Sequence, residues 1–359
     1  MYLAMLLFVP LLIAAVNLFL FRRKVTIEEF SLQVGVVVAI VAAGAAIAMT
    51  TSTSDTEVWS GRISNKAREK VSCSHSYPCH PHQCNCGKNG CDTCWDTCYE
   101  HSYDIDWAYY TTEDGRGTVA RLDSQGLGEP SRWDAVYVGE PTASRHSYEN
   151  YIKASPDSVL RRTSAPKKFV GKVPAYPAKL YDYYRLDRFV ATGFVASDAR
   201  EWNYLLADLN AEEGAKKQIN VIFVAAKTED PDFEFALEDA WIGGKKNDLV
   251  VIVGAPDYPK IAWLRVMTWS LSTDLKVKLR DEILNIGQMD RRDEIIKVTR
   301  DLIERYWIRR HMKDFKWLLA SYQPSTDVTI LLFLLGTGLC VGACFIVDEN
   351  DENPDKDGL

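Results

Sequence analysis

The chain has 359 residues, of which 47% are hydrophobic and 25% charged, with a formal net charge of -7. That acidic balance excludes a nucleic-acid-binding class, because neutralising phosphates needs a basic face. Three uncharged apolar runs stand at the two ends, which leaves a single soluble stretch of roughly 280 residues between the second and the third.

The first run covers Tyr2 to Phe21, the second Ser31 to Met49 and the third Val328 to Val347. At ~1.5 Å per residue each is long enough, as a helix, to cross a ~30 Å hydrocarbon core. Three transmembrane helices are therefore expected, over residues 1–21, 31–49 and 328–347. Arg22, Arg23 and Lys24 form the densest basic patch beside any run. The positive-inside rule keeps that loop, residues 22–30, in the cytoplasm. Residues 50–327 then lie outside it, in the periplasm if the membrane is a bacterial inner one. The acidic tail 348–359 returns to the cytoplasm. A cleaved signal peptide is the rival for the first run, but signal peptides carry their positive charge before the apolar core, and here it follows. Gly35, Gly44 and the alanines 42, 43, 45 and 46 permit close helix packing and leave a homo-oligomer open. Cys340 and Cys344, inside the third run, read as small packing residues.

Seven of the nine cysteines crowd into one stretch: Cys73, Cys79, Cys84, Cys86, Cys91, Cys94 and Cys98. Pro78, Pro81, Gly87 and Gly90 break up any long element there, so this piece has no core of its own and needs cross-links. Outside the cytoplasm disulfides are expected, with a connectivity that spacing does not reveal and with one thiol left over. Structural zinc is the alternative, with His80, His82 or His101 completing a set begun by thiolate pairs. The Cys91-x2-Cys94 pair lacks the strand-then-helix context of a thioredoxin-like motif. Residues 50–163 thus form a Cys/His-rich module with short strands at Tyr103 to Thr112, Thr118 to Leu122 and Trp133 to Val138. The triplet His-Ser-Tyr recurs at His75, His101 and His146 at unequal spacing, which makes no structural repeat. Pro166, Pro174 and Pro177 mark residues 164–185 as a semi-extended linker.

From Leu186 the texture turns to alternating strands and helices. Phe189 to Ala196, Ile219 to Ala226, Leu249 to Val253 and Ile261 to Met267 read as strands; the second and third are apolar runs typical of strands covered on both faces. Between them Trp202, Leu205, Leu206 and Leu209 recur at helical spacing after Asp198, a candidate cap with Glu201 three residues on. Phe233 to Trp241 forms a shorter helix stopped by Gly243 and Gly244. Asp274 is the candidate cap of the next, and a long amphipathic helix is expected from Arg291 to Leu319. Alternation of this kind means a layered α/β domain.

The run Ile219 to Ala226, the helix ending at Trp241, Ile242 and Gly243, the loop Lys245 to Asp248 and the strand Leu249 to Val253 together resemble the TPM domain family. Ser197 and the helix Ala199 to Asn210 match that family's opening segment, and the likeness covers about residues 186–320. The resemblance implies a TPM-like layered α/β domain beside the small Cys-rich module, anchored by transmembrane helices and facing away from the cytoplasm. It also implies a part in assembling or repairing membrane complexes, or in associating with receptors, through an envelope protein partner. Some members of the family are phosphatase-like and metal-binding. A divalent cation in this domain would fall to acidic residues near strand ends: Asp187, Asp248, Asp257 and Asp274. Where the family carries a Gly-x-Gly-Leu-Glu-Gly-like turn, residues 267–274 here hold no glycine and no glutamate. A non-enzymatic binding factor is therefore the expectation, and a metal-dependent phosphatase-like hydrolase the alternative.

Overall fold

A computed structural model describes residues 2–20, 27–87, 90–158, 160, 166–181 and 185–349. The basic patch Arg22 to Lys24 and tail residues 350–359 lie outside the described residues. In chain order the structure begins with helices α1 (Tyr2–Leu20) and α2 (Ile27–Thr53). Strands β1 (Ser54–Val71), β2 (Ser76–Gly87), β3 (Gly90–Tyr99), β4 (Asp104–Thr111) and β5 (Gly115–Val119) follow. The one-turn helix α3 (Ser131–Asp134) leads to β6 (Pro141–Glu149) and the short pair β7 (Leu180–Tyr181) and β8 (Arg185–Leu186). Next come β9 (Phe189–Thr192), α4 (Ala199–Lys217), β10 (Asn220–Ala226), α5 (Phe233–Ala240), β11 (Asp248–Gly254) and β12 (Trp263–Thr268). Helices α6 (Thr273–Ile286), α7 (Arg292–Tyr306) and α8 (Thr326–Glu349) complete the chain. It divides into two compact units, residues 1–55 with 147–163 and 311–359, and residues 56–146 with 164–310.

In the first unit α1, α2 and α8 pack on one another. Leu6 and Ala14, Val37 and Val41, Leu332 and Cys340 are buried where the three helices meet. A Cβ on Gly44 would stand 2.3 Å from a methyl of Leu332, so only glycine admits this approach without moving that side chain. The Cys340 thiol donates to the carbonyl of Pro10 at 3.2 Å, and Gln33 donates to the carbonyl of Cys340, also at 3.2 Å. The side chain of Cys344 lies outside the described residues.

Only one helix, Phe30–Thr53, is long and apolar enough to cross a membrane among the described residues. Of the three expected spans, this one passes that test among the described residues. Within the described residues the apolar stretches of α1 and α8, Leu6–Phe19 and Thr326–Gly342, are shorter, in helices of 19 and 24 residues. Length and apolarity near the N-terminus fit a span or a signal segment equally.

The second unit is built on two four-stranded sheets. One has the order β12-β11-β10-β9, with β9, β10 and β11 parallel and β12 antiparallel. Alternate residues of β10 and β11 point to opposite faces, and both faces are covered. Val221, Phe223, Leu249, Val251 and Val253 meet α4, α6 and α7 through Trp202, Leu206, Leu279, Ile283 and Ile303. Ile222, Val224, Val250 and Ile252 meet α5 through Phe233, Ala236 and Leu237. That double cover is why both strands read as unbroken apolar runs. Trp202 is fully buried and stacks on Phe189 and Phe223, with ring centroids 5.3 and 5.2 Å away.

The other sheet, β5-β4-β1-β6, is antiparallel where β1 pairs with β4 and β4 with β5. Trp107, Ile105, Ile63 and Val119 form its small core. Polar ties join it to the α/β layers. Asn247 donates to the carbonyl of Val58 at 2.8 Å, and the buried Glu57 carboxylate meets Arg309 at 2.9 Å and Lys246 at 3.1 Å.

Several local expectations change in this setting. The apolar residues of strand β1 (Val58, Trp59, Ile63, Ala67 and Val71) are too scattered to give a period-two signal, and Trp133 lies in the turn α3 rather than a strand. Ser272, not Asp274, caps α6, accepting from Leu275 N at 3.3 Å. Asp198 makes no capping bond; its carboxylate accepts from the Tyr258 hydroxyl at 2.7 Å and from Arg292 at 2.7 Å. The long helix expected to Leu319 stops at Tyr306, because Trp307 turns inward to bury its ring and donate to the carbonyl of Lys217.

Candidate functional site

Strands β2 and β3 form a separate two-stranded antiparallel sheet. Every described residue of the pair is exposed except Cys79, Cys84, Cys94 and Cys98, which are half-buried. An isolated hairpin is marginal in water at best, and this one has no apolar face to bury. Covalent rungs replace the core: Cys79 bonds Cys98, Cys84 bonds Cys94, and Cys86 bonds Cys91. The nested separations of 19, 10 and 5 residues tie the strands along their length. His80 and Asn85 adopt φ of 43° and 51°, within the two register shifts of the ladder. These bulges let diagonal cysteines meet. Tyr77, Trp95 and Tyr99 are large, about half exposed and unburied by anything in the hairpin itself.

Disulfide formation takes six thiolates away from any metal. His80 and His82 are exposed beside Asp96, with Nδ1 3.8 and 3.6 Å from its carboxylate. His80 stands near the sulfurs of Cys79 and Cys98, but those two are bonded to each other. The thiol left over is Cys73, which is buried.

Cys73 lies at the neck of the hairpin. The β1–β4 ladder ends at the pair Val71 and Asp104, and the β2–β3 ladder starts at Ser76 and Tyr99. In the neck Cys73 Sγ is 3.7 Å from His101 Nδ1, and His101 Nδ1 is 3.3 Å from Asp104 Oδ1. His75 Nδ1 is 3.8 Å from Asp104 Oδ2. Asp104 is fully buried, and Ser74 N and Arg121 donate to its Oδ2 at 3.0 and 2.8 Å. Burial opposes its ionisation, but Ser74 N–H, Arg121 and the Cys73 thiol prevail and hold the carboxyl far below the ordinary range. An open depression lined by Cys73, Tyr99, Glu100, His101 and Ser102 lies beside this group. Of the four residues, sequence reading picked out Cys73 and His101, set His75 aside as an ordinary surface histidine, and missed Asp104. The available signal was two short-spaced pairs, Cys73-x-His75 and His101-x2-Asp104, flanking the hairpin.

The four carboxylates singled out for a cation in the α/β domain are placed apart. Asp187, Asp257 and Asp274 are exposed, while Asp248 is buried. None joins a group of three or more ligand-capable side chains within 4.8 Å among the described residues. Asp248 instead ends a buried polar chain. It accepts from Asn220 Nδ2 at 2.8 Å, from the Tyr176 hydroxyl at 2.9 Å and from Lys245 N at 2.7 Å. Asn220 Oδ1 in turn accepts from Arg188 Nε at 2.7 Å, and Arg188 also donates to Ser60 Oγ at 2.5 Å.

Burial pushes the Asp248 carboxyl up to about 6, against the pull of those donors. Its folded value thus lies above the unfolded one near 4, so the native state binds the proton more tightly. The stability contribution is greatest below pH 4 and falls as pH rises through 6, by ~3 kcal/mol in all. Thermal unfolding from pH 4 to 7 is expected to show wild type losing ground to Asp248→Asn over that window. A difference between the two that is flat with pH would mean the carboxyl titrates normally.

Comparison with protein-family models, with curated proteins and with solved structures finds no match for this chain.

Proposed function

We propose that this protein is a membrane-anchored binding or assembly factor whose disulfide-laced hairpin works outside the cytoplasm and contacts an envelope protein partner. The observation that carries this reading is the hairpin itself. It has three rungs, almost no buried surface and exposed aromatic side chains, on a chain with a helix able to cross a membrane. Disulfides of this density persist in oxidising compartments and are reduced in the cytosol. A polar strand pair held rigid by covalent rungs loses little entropy on docking, which favours recognition over catalysis.

Three spans are part of the proposal. The outward faces of α1 and α8 carry Phe8, Leu12, Phe19, Leu331 and Leu334, all more than half exposed, around an equally apolar interior. Apolarity on both sides of a helix bundle is tolerated in lipid and costly in water. The basic patch after the first run keeps its loop in the cytoplasm and so sends residues 50–327 across. Kinship with the TPM family is proposed on the same footing, since β10, α5, the loop to Asp248 and β11 follow the order that the resemblance implies.

Two probes on the full chain in intact cells test this. Val195, 95% exposed, is replaced by cysteine and treated with a membrane-impermeant maleimide. Labelling before lysis is expected; labelling only after lysis overturns the orientation. A photo-crosslinking residue at Trp95 is expected to give a discrete protein adduct that the same residue at Val195 does not. Identical patterns from both sites would remove the hairpin from the recognition role.

A further inference from the structure

Within the neck of the hairpin, four potential ligands from two adjoining chain segments converge: Cys73 and His75 from one, His101 and Asp104 from the other. All four donor atoms lie within 4.8 Å of one another. We propose that they form a structural zinc site, with Cys73 Sγ, His75 Nδ1, His101 Nδ1 and Asp104 Oδ1 as a closed tetrahedral set. This site is distinct from the hairpin's six bonded cysteines and needs neither the membrane orientation nor the partner.

Distances support tetrahedral coordination. Zinc bonds of ~2.3 Å to sulfur and ~2.0–2.1 Å to nitrogen and oxygen place ligand atoms about 3.3–3.6 Å apart. Cys73 Sγ to His101 Nδ1 is 3.7 Å, and His101 Nδ1 to Asp104 Oδ1 is 3.3 Å. His75 Nδ1 is 3.8 Å from Oδ2, the other oxygen of that carboxylate. Small rotations of the histidine rings close the remaining gaps. The donor set also fits the ion, since thiolate, imidazole and carboxylate in a tetrahedron select zinc over magnesium or calcium.

Two simpler readings fail on particular atoms. A cysteine-protease-like relay needs one imidazole nitrogen for the thiol and the other for the carboxylate. Here the same atom, His101 Nδ1, faces both Cys73 and Asp104. Ordinary hydrogen bonding accounts for His101 but not for His75, whose Nδ1 is buried with no hydrogen-bond partner among the described residues. A metal at the centre gives that nitrogen a partner. Ser74 N–H and Arg121 grip Asp104 through Oδ2 and leave Oδ1 facing the histidine. Such outer contacts orient a ligating carboxylate.

The consequence is mechanical. Zinc here joins the segment leaving β1 to the segment entering β4, at the place where the two ladders are interrupted. It fixes the hairpin's angle where no disulfide does so. Coordination also explains how one thiol stays reduced beside three disulfides, because a zinc-bound thiolate is withheld from exchange.

The test uses the full chain in mild detergent, stripped with a chelator and titrated with zinc and with cobalt(II). One zinc per chain is expected, and cobalt is expected to give thiolate-to-metal absorption in the near ultraviolet with intense visible bands of a tetrahedral ion. Cys73→Ser should abolish the near-ultraviolet band. Arg121→Met should weaken zinc binding by ~10–100-fold through the loosened Asp104. A measurement without variants guards against misfolding: zinc should protect Cys73 from iodoacetamide, read by peptide mapping, and chelator should restore its reactivity. Absence of stoichiometric zinc, a cobalt spectrum unchanged in Cys73→Ser, or alkylation indifferent to zinc would each overturn the site.

Discussion

Replacing Arg188 by alanine is expected to cost about 3–5 kcal/mol of stability, the range for removing one partner of a buried charged network. Arg188 is 2% exposed, and burial lowers its guanidinium to about 10 in spite of the nearby carboxylates of Asp248 and Asp187. Its three donations go to Asn220 Oδ1, Ser60 Oγ and the carbonyl of Leu186. Truncation strands these acceptors away from water, leaves a cavity, and takes from Asp248 the cation at the far side of Asn220. The network also links β1 to β10 and β11, so its loss should loosen the strand-rich sheet from the α/β layers. Thermal unfolding should fall by on the order of 10 °C. Arg188→Lys, which keeps the charge and loses the fork, should recover part of the loss. A cost below ~1 kcal/mol for the alanine variant would show that water satisfies the site.

The second large effect concerns the hairpin. Reducing its three disulfides should leave the α/β layers folded and abolish protection of the β2–β3 amides. Among the described residues no apolar cluster includes a residue of either strand. Tertiary packing therefore cannot take over the work of the rungs. Closing the loop between Cys79 and Cys98 alone is worth ~3 kcal/mol by chain entropy. Hydrogen exchange across residues 76–99 should accelerate by about a hundredfold for a Cys79→Ser, Cys98→Ser double variant. It should approach the unprotected rate on full reduction. Protection that survives reduction would mean the strands are held by something other than sulfur.

How far each feature was legible follows from the range of the interactions behind it. Strands β10 and β11 were readable because covering both faces of a parallel sheet demands unbroken apolar runs, and the Ile219 to Ala226 and Leu249 to Val253 segments supply them. Helix α6 was readable from Leu275, Leu279, Ile283 and Ile286 at helical spacing, all of which are buried. Its cap was not, since Ser272 and Asp274 are both acceptable residue types and only the backbone path selects one. Asp198 looked like a cap for the same local reason, but Tyr258 and Arg292, distant in sequence, claim its carboxylate. Strand β1 escaped notice because its own residues from Asn65 to Lys70 are mostly charged or polar and its register is set by β4, far along the chain.

By itself the sequence determined that this protein has apolar helices at its ends, an α/β layered domain, and a cysteine-rich element that needs cross-links. Each of those rests on composition or on periodicity within a few turns of chain. Which cysteines pair, which thiol is left over, and that it meets His75, His101 and Asp104 were decided only in the tertiary structure. Seven cysteines crowded between Cys73 and Cys98 admit many pairings of similar chain entropy. The choice among them is made by the register of β2 on β3, and the neck residues are brought together by the ladder that ends at Val71 and Asp104.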